Sequence, residues 1–150
     1  PKAAALRRLA FMAHGRGEMA RAVLEGVAIG LRQIVFALRE SCPQIDSVRL
    51  IGGGGKSNLW PQIVADVLGM PVHLLELHGE ATSWGAAVTA GVAIQQWDWT
   101  MAAERGSVRR TVAPNLADAF RYAELAEIYE ESYRALVPTY DRLARFAGTQ

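Results

Sequence analysis

The sequence predicts an α/β fold dominated by helices, with a small parallel sheet at its centre. Three observations carry that expectation. A largely apolar run, Val48–Ile51, ends in four glycines, Gly52–Gly55, and is followed by the amphipathic segment Leu59–Leu68. A second short run, Val72-His73-Leu74-Leu75, comes next; strand, helix and strand at this spacing imply a parallel pair with a right-handed crossover. Long stretches with apolar residues at helical spacing lie on either side of this unit.

Taken in order, residues 2–13 are rich in Ala, Leu and Arg and suit a helix, which Gly15 and Gly17 interrupt. A long helix is expected from Gly17 to Glu40. Its apolar stripe contains Met19, Ala22, Val23, Val27, Leu31, Ile34, Val35 and Leu38. Glu18 falls in its first turn, where a negative charge suits the helix dipole. Gly26 and Gly30 lie four apart on the stripe, and each costs about 1 kcal/mol against Ala in a helix, so they are expected to admit a closely packed neighbour. Pro43 ends this helix. Residues 47–51 form the first strand and Ser57–Leu68 the second helix. Pro61 is tolerated in that helix's first turn, and Gly69 stands just past its end. The second strand spans 71–75. A third helix, Ser83–Gln95, is built of small residues and implies close packing by a helix or a ligand. A short helix is expected at 100–104, and Arg105–Asn115 reads as polar and irregular. A last helix runs from Leu116 to Phe146 with the stripe Leu125, Ile128, Tyr129, Ser132, Tyr133, Leu136, Tyr140 and Leu143, kinked at Pro138.

A formal net charge of +1 gives no electrostatic case for nucleic acid or an anionic membrane. No apolar run reaches the roughly 18–20 residues a membrane span needs. The single cysteine, Cys42, allows no internal disulfide and fits a reducing, cytoplasmic setting. The chain opens on Pro1 within helical sequence and reads as one domain, 1–150, cut from a longer protein.

The glycine turn is where chemistry is expected. Without Cβ atoms the backbone turns tightly and a ligand can come close, and the N–H groups opening the next helix suit a phosphate. Gly55-Lys56-Ser57 matches the end of a P-loop, but Leu50 stands where its first glycine belongs. A dinucleotide fingerprint fails at Ser57, where its third glycine belongs. A tight turn with no ligand is the plain alternative.

Several landmarks together resemble the C-terminal domain of FGGY-type carbohydrate kinases. Val48–Gly69 is similar to the family's strand, glycine turn, Ser or Asn, and Gln-x-x-Ala-Asp helix. Glu18–Gly26 resembles the second half of its signature, and Glu80–Ala87 its Ser-x-Gly-Ala-Ala helix start. Lys2–Met12 lacks the signature's opening. The resemblance implies an actin/hexokinase-like (ribonuclease H-like) ATPase architecture. It implies ATP with Mg²⁺ as cofactors and a pentulose-like sugar, as in xylulose kinases, held mainly by an absent N-terminal half. Gly53 and Gly54 are then expected against the nucleotide's phosphates and ribose, with Gly55 and Lys56 flanking, Asn58 reaching the adenosine, and Gly85 and Ala86 leaving room for adenine. As plain alternatives, Asn58 is a helix cap, Lys56 a solvated charge and Gly85 a packing residue.

The family's catalytic base is an Asp upstream of everything matched, and none of Asp46, Asp66, Asp98, Asp118 and Asp141 sits in a matching motif; Asp66 reads as a helix-surface acid. The chain is therefore expected to lack catalytic residues of its own and to be inactive alone. A nucleotide-binding or interaction module without transferase activity is the rival. His14, His73 and His78 have no metal-site spacing, so no metal ligand is expected here. Trp84, Trp97 and Trp99 are expected in core or interface packing. Apolar surface left by a missing half makes homo-oligomers an expectation.

Overall fold

The structure, a computed structural model, describes residues 15–76, 81–100 and 107–148. The helix expected over 2–13, most of that at 100–104, and His14, His78 and Glu80 lie outside them.

Helix α1 spans Arg16–Ser41. Its start is capped by the Glu18 carboxylate, which accepts the Gly15 N–H at 2.6 Å. Strand β1 is Val48–Leu50. The glycines do not lead straight into a helix: Gly53–Lys56 form a 3₁₀ turn, and helix α2 begins only at Trp60 and runs to Leu68. Gly69 ends α2 in the left-handed region at φ 66°, donating its N–H to Ala65 O as a C-terminal glycine should. Strand β2 is Val72–Leu75, helix α3 Ala81–Ala93, strand β3 Val108–Val112 and helix α4 Leu116–Ala147. Asn115 caps α4 by accepting the Ala117 and Asp118 N–H groups, and α4 continues through Pro138.

The parallel pair is present, in the register Val48↔Val72, Arg49↔His73 and Leu50↔Leu74. The sheet itself is mixed. β3 adds antiparallel to the other side of β2, pairing Val72 with Val112 and Leu74 with Arg110, and it bulges at Arg109. This corrects the irregular reading over Val108–Val112. β3 buries only Val112 and is otherwise exposed, so an edge strand's charges hid the β-branched Val108, Thr111 and Val112.

α2 is the centre of the fold. It is apolar nearly all round, and every residue from Ile63 to Leu68 is buried. One side packs Val64, Ala65 and Leu68 against Val72, Leu74 and Val112 of the sheet. The other packs Ile63 and Val67 against Ala28 and Ile29 of α1 and Tyr122 of α4.

Two expected stripes are covered only in part. On α1 the buried residues are Ala22, Glu25, Ala28 and Ile29, while Met19, Val23, Val27, Ile34 and Leu38 are exposed. A Cβ added at Gly26 or Gly30 would meet nothing within 4 Å, so the expected close neighbour is not among the described residues. On α4 everything from Glu131 to Gly148 is exposed, including Tyr133, Leu136, Tyr140 and Leu143. Helical periodicity marks an apolar face without saying what covers it. α3 is likewise mostly exposed. At Gly91 it is closely packed: a Cβ there would lie 2.7 Å from the Trp97 ring. Trp97 also pairs with Trp84 at 5.9 Å between ring centroids, as packing tryptophans do; Trp99 is exposed.

Candidate functional site

The glycine turn leaves the C-terminal end of β1, the end at which α/β folds place ligands. Gly52 turns the chain at φ 78°, ψ −160°, a conformation essentially confined to glycine. The Gly55 N–H then donates to Gly52 O and the Ser57 N–H to Gly54 O, tightening the turn. Ser57 closes it: its hydroxyl accepts the N–H groups of Leu59 and Trp60, both at 3.2 Å. Ser57, and not Asn58, therefore serves the start of α2.

The three glycines behind Gly52 differ physically. Gly53 is exposed, and a Cβ there would meet nothing within 4 Å. At Gly54 a Cβ would lie 2.9 Å from Trp60 Cδ1 and 3.0 Å from its Nε1, so the indole itself requires this glycine. Gly55 lies over the sheet, with Leu74 Cδ2 4.0 Å from a built Cβ, and its N–H is already engaged. Open backbone is thus offered chiefly at Gly53. Asn58 and Lys56 are exposed beside it. Asn58 Oδ1 accepts from Arg110 Nη1 of β3 at 3.5 Å, the long end of a hydrogen bond. Sequence reasoning missed Arg110 because it missed β3. Gly85 of α3 has open space at its Cβ position.

The Gln-x-x-Ala-Asp motif has a structural explanation. Asp66 is buried, which corrects its reading as a surface acid. Its Oδ1 accepts Gln62 Nε2 and the Asn115 backbone N–H, each at 2.8 Å. Gln62 Nε2 also donates to Ala113 O. The motif pins α2 to the β3–α4 junction, and Asp66 is committed to that junction through Oδ1.

Glu25, the second glutamate of the Glu18–Gly26 stretch, also links two helices, through Oε1. It is buried against Tyr122, whose hydroxyl donates to Glu25 Oε1 at 2.8 Å; Arg21 Nε donates to the same oxygen at 2.6 Å and Arg21 Nη2 to the Tyr122 hydroxyl at 3.1 Å. Burial pushes the Tyr122 phenol well above its ordinary value, and the Arg21 hydrogen bond offsets this only in part. Burial acts to lower the Arg21 guanidinium, but its bonds to Tyr122 and Glu25 outweigh that and raise it. The triad ties α1 to α4. Grooves of about 870 and 380 Å³ lie between these helices, and no residue of the glycine turn lines either.

His73 is engaged with Thr111 across the β2–β3 pair at 2.8 Å. Among the described residues no three His, Cys, Asp or Glu side chains gather as a metal site, and no helix is long and apolar enough to cross a membrane.

The described residues, a parallel β-α-β unit with a glycine turn between its strand and its buried helix, flanked by further helices, superpose on solved sugar kinases, which gives the chain the helix-rich part of an actin/hexokinase-like ATPase fold. Residues 8–94 match the model of the FGGY family of carbohydrate kinases, C-terminal domain, and the chain belongs to that family. It is 28% identical over 123 residues to a xylulose kinase of Staphylococcus epidermidis, covering 81% of this chain and 25% of the relative. Among solved structures, a xylulose kinase from Rhodospirillum rubrum superposes with a TM-score of 0.68 at 30% identity, covering 87% of this chain and 27% of that one. A Plasmodium falciparum glycerol kinase with ADP superposes at 0.63 and 25% identity, covering 84% and 26%. The chain thus spans about a quarter of the length of these relatives.

Proposed function

We propose that this chain is the nucleotide-binding part of a cytoplasmic sugar kinase that transfers the γ-phosphoryl group of ATP to a pentulose-like sugar. The observation that carries this reading is the open backbone at Gly53, at the carboxyl end of a parallel strand in a domain of this family. ATP fits the residues present: Gly53 leaves space a Cβ would fill, and the exposed Asn58 offers an amide beside it. In this reading Gly53 takes the nucleotide through its backbone and Asn58 takes the adenosine portion. Gly54 and Gly55 shape the turn that presents them. The Plasmodium relative is a glycerol kinase with ADP, which agrees with a nucleotide role. The xylulose kinases among the relatives favour a pentulose, although a glycerol kinase is among them too.

Bound together with the nucleotide, Mg²⁺ would supply neutralisation of the charge that develops during phosphoryl transfer. No carboxylate cluster among the described residues holds it independently. The base that takes the sugar hydroxyl's proton belongs to the sugar-binding half of a longer chain, so the 150 residues bind nucleotide and do not turn over. Isothermal titration with ATP–Mg²⁺ and ADP, beside a coupled ADP-release assay on xylulose, tests both parts. Saturable heat without turnover is expected. No heat with either nucleotide overturns the binding assignment, and robust turnover overturns the division of labour.

A further inference from the structure

We propose that Arg110 is a positioning residue for the nucleotide site, holding the Asn58 side chain so that its amide N–H₂ faces the ligand; this rests on the nucleotide reading above. The sheet places Arg110 for the task. Leu50, Leu74 and Arg110 share one row across β1, β2 and β3, and Leu50 is the last residue of β1 before the glycine turn. Paired residues of neighbouring strands project to the same face. Gly55 lies over Leu74 on that face, so Arg110 and the turn share it. The bulge at Arg109 puts the extra residue next to Arg110, and bulges commonly re-aim a neighbouring side chain.

From there Arg110 Nη1 reaches Asn58 Oδ1 across 3.5 Å. A guanidinium has only donors, so it can hold only the oxygen of the amide. The choice between the two flips of Asn58 is thereby made: oxygen toward β3, Nδ2 outward. An outward Nδ2 selects acceptors, such as a ring nitrogen or a ribose hydroxyl of adenosine. Both side chains are exposed, so the pair contributes little to folding and is available to a ligand.

A double-mutant cycle on ADP affinity tests this in the intact chain, with Asn58→Ala, Arg110→Ala and the pair, and with inorganic pyrophosphate as a second probe. Arg110→Ala is expected to weaken ADP about threefold to tenfold, the range of one modest hydrogen bond. Asn58→Ala should weaken it at least as much, and the double variant no more than Asn58→Ala alone. Pyrophosphate binding should be unchanged, because the contact is to adenosine. Asn58→Asp keeps the oxygen for Arg110 but loses the donor, so it should bind ADP as poorly as Asn58→Ala. If Asn58→Ala leaves ADP affinity intact, the nucleotide reading of Asn58 fails and the inference with it. If Asn58→Ala weakens ADP but Arg110→Ala does not, or the two effects add, or Arg110→Ala weakens pyrophosphate equally, the positioning role alone is overturned.

Discussion

Replacing Asp66 by Ala removes one oxygen that accepts two hydrogen bonds of 2.8 Å, from Gln62 and from the Asn115 backbone. Gln62 keeps a partner, because its Nε2 also donates to Ala113 O. The Asn115 N–H has no such alternative and sits at the junction that starts α4. Hydrogen bonds to a charged acceptor contribute about 1.5–3 kcal/mol each, and a donor left buried without a partner adds its own desolvation cost. With one bond partly replaced, the expected loss is about 2–4 kcal/mol, or roughly 5–12 °C of melting temperature for a chain of this size. Urea unfolding followed by circular dichroism reads the first quantity and a thermal scan the second. Asp66→Asn keeps an oxygen for Asn115 and should lose only about 1 kcal/mol. An Asp66→Ala variant within about 0.5 kcal/mol of the parent, or an Asn variant as damaged as the Ala one, would refute the pinning role.

Other expectations follow from the same packing. The folded chain holds the Tyr122 proton above the pH at which an unfolded chain releases it, near 10. Its contribution to stability is therefore full below about pH 10 and declines as pH rises toward the raised folded value. Tyr122→Phe should flatten that alkaline decline, and melting temperatures falling equally steeply with pH in both proteins would contradict it. Gly54→Ala should cost about 1–3 kcal/mol, because its methyl enters the Trp60 ring; an unchanged urea midpoint would contradict the packing. The exposed stripe through Tyr133, Leu136, Tyr140 and Leu143 should drive concentration-dependent self-association that Leu136→Glu reduces, whereas a clean monomer at high concentration in sedimentation would count against it.

What the sequence made legible was local. Val48–Leu68 announced its strand, glycine turn and helix because apolar runs, Pro61 and Gly69 all act within a few residues of themselves. What stayed hidden depended on partners far along the chain. Asp66 looked like a surface acid because its partner Asn115 lies 49 residues away. β3 was missed because its outer face needs no apolar residues, and Arg110 was missed with it. The starting point of α2 shifted from Ser57 to Trp60 because Gly53–Lys56 wind into a 3₁₀ turn first, leaving Ser57 to cap from outside. Gly54 could not be told from Gly53 until the Trp60 ring was placed against it.

That last difference supplies the most direct measurement. At Gly53 a methyl group meets no protein atom and the backbone is not in the left-handed region, so Gly53→Ala should leave stability within about 0.5 kcal/mol of the parent. If a nucleotide lies against that backbone, the methyl occupies its place, and ADP affinity measured by titration calorimetry should fall by at least about tenfold, ~1.4 kcal/mol. Unchanged ADP affinity in a stable Gly53→Ala protein would contradict the account.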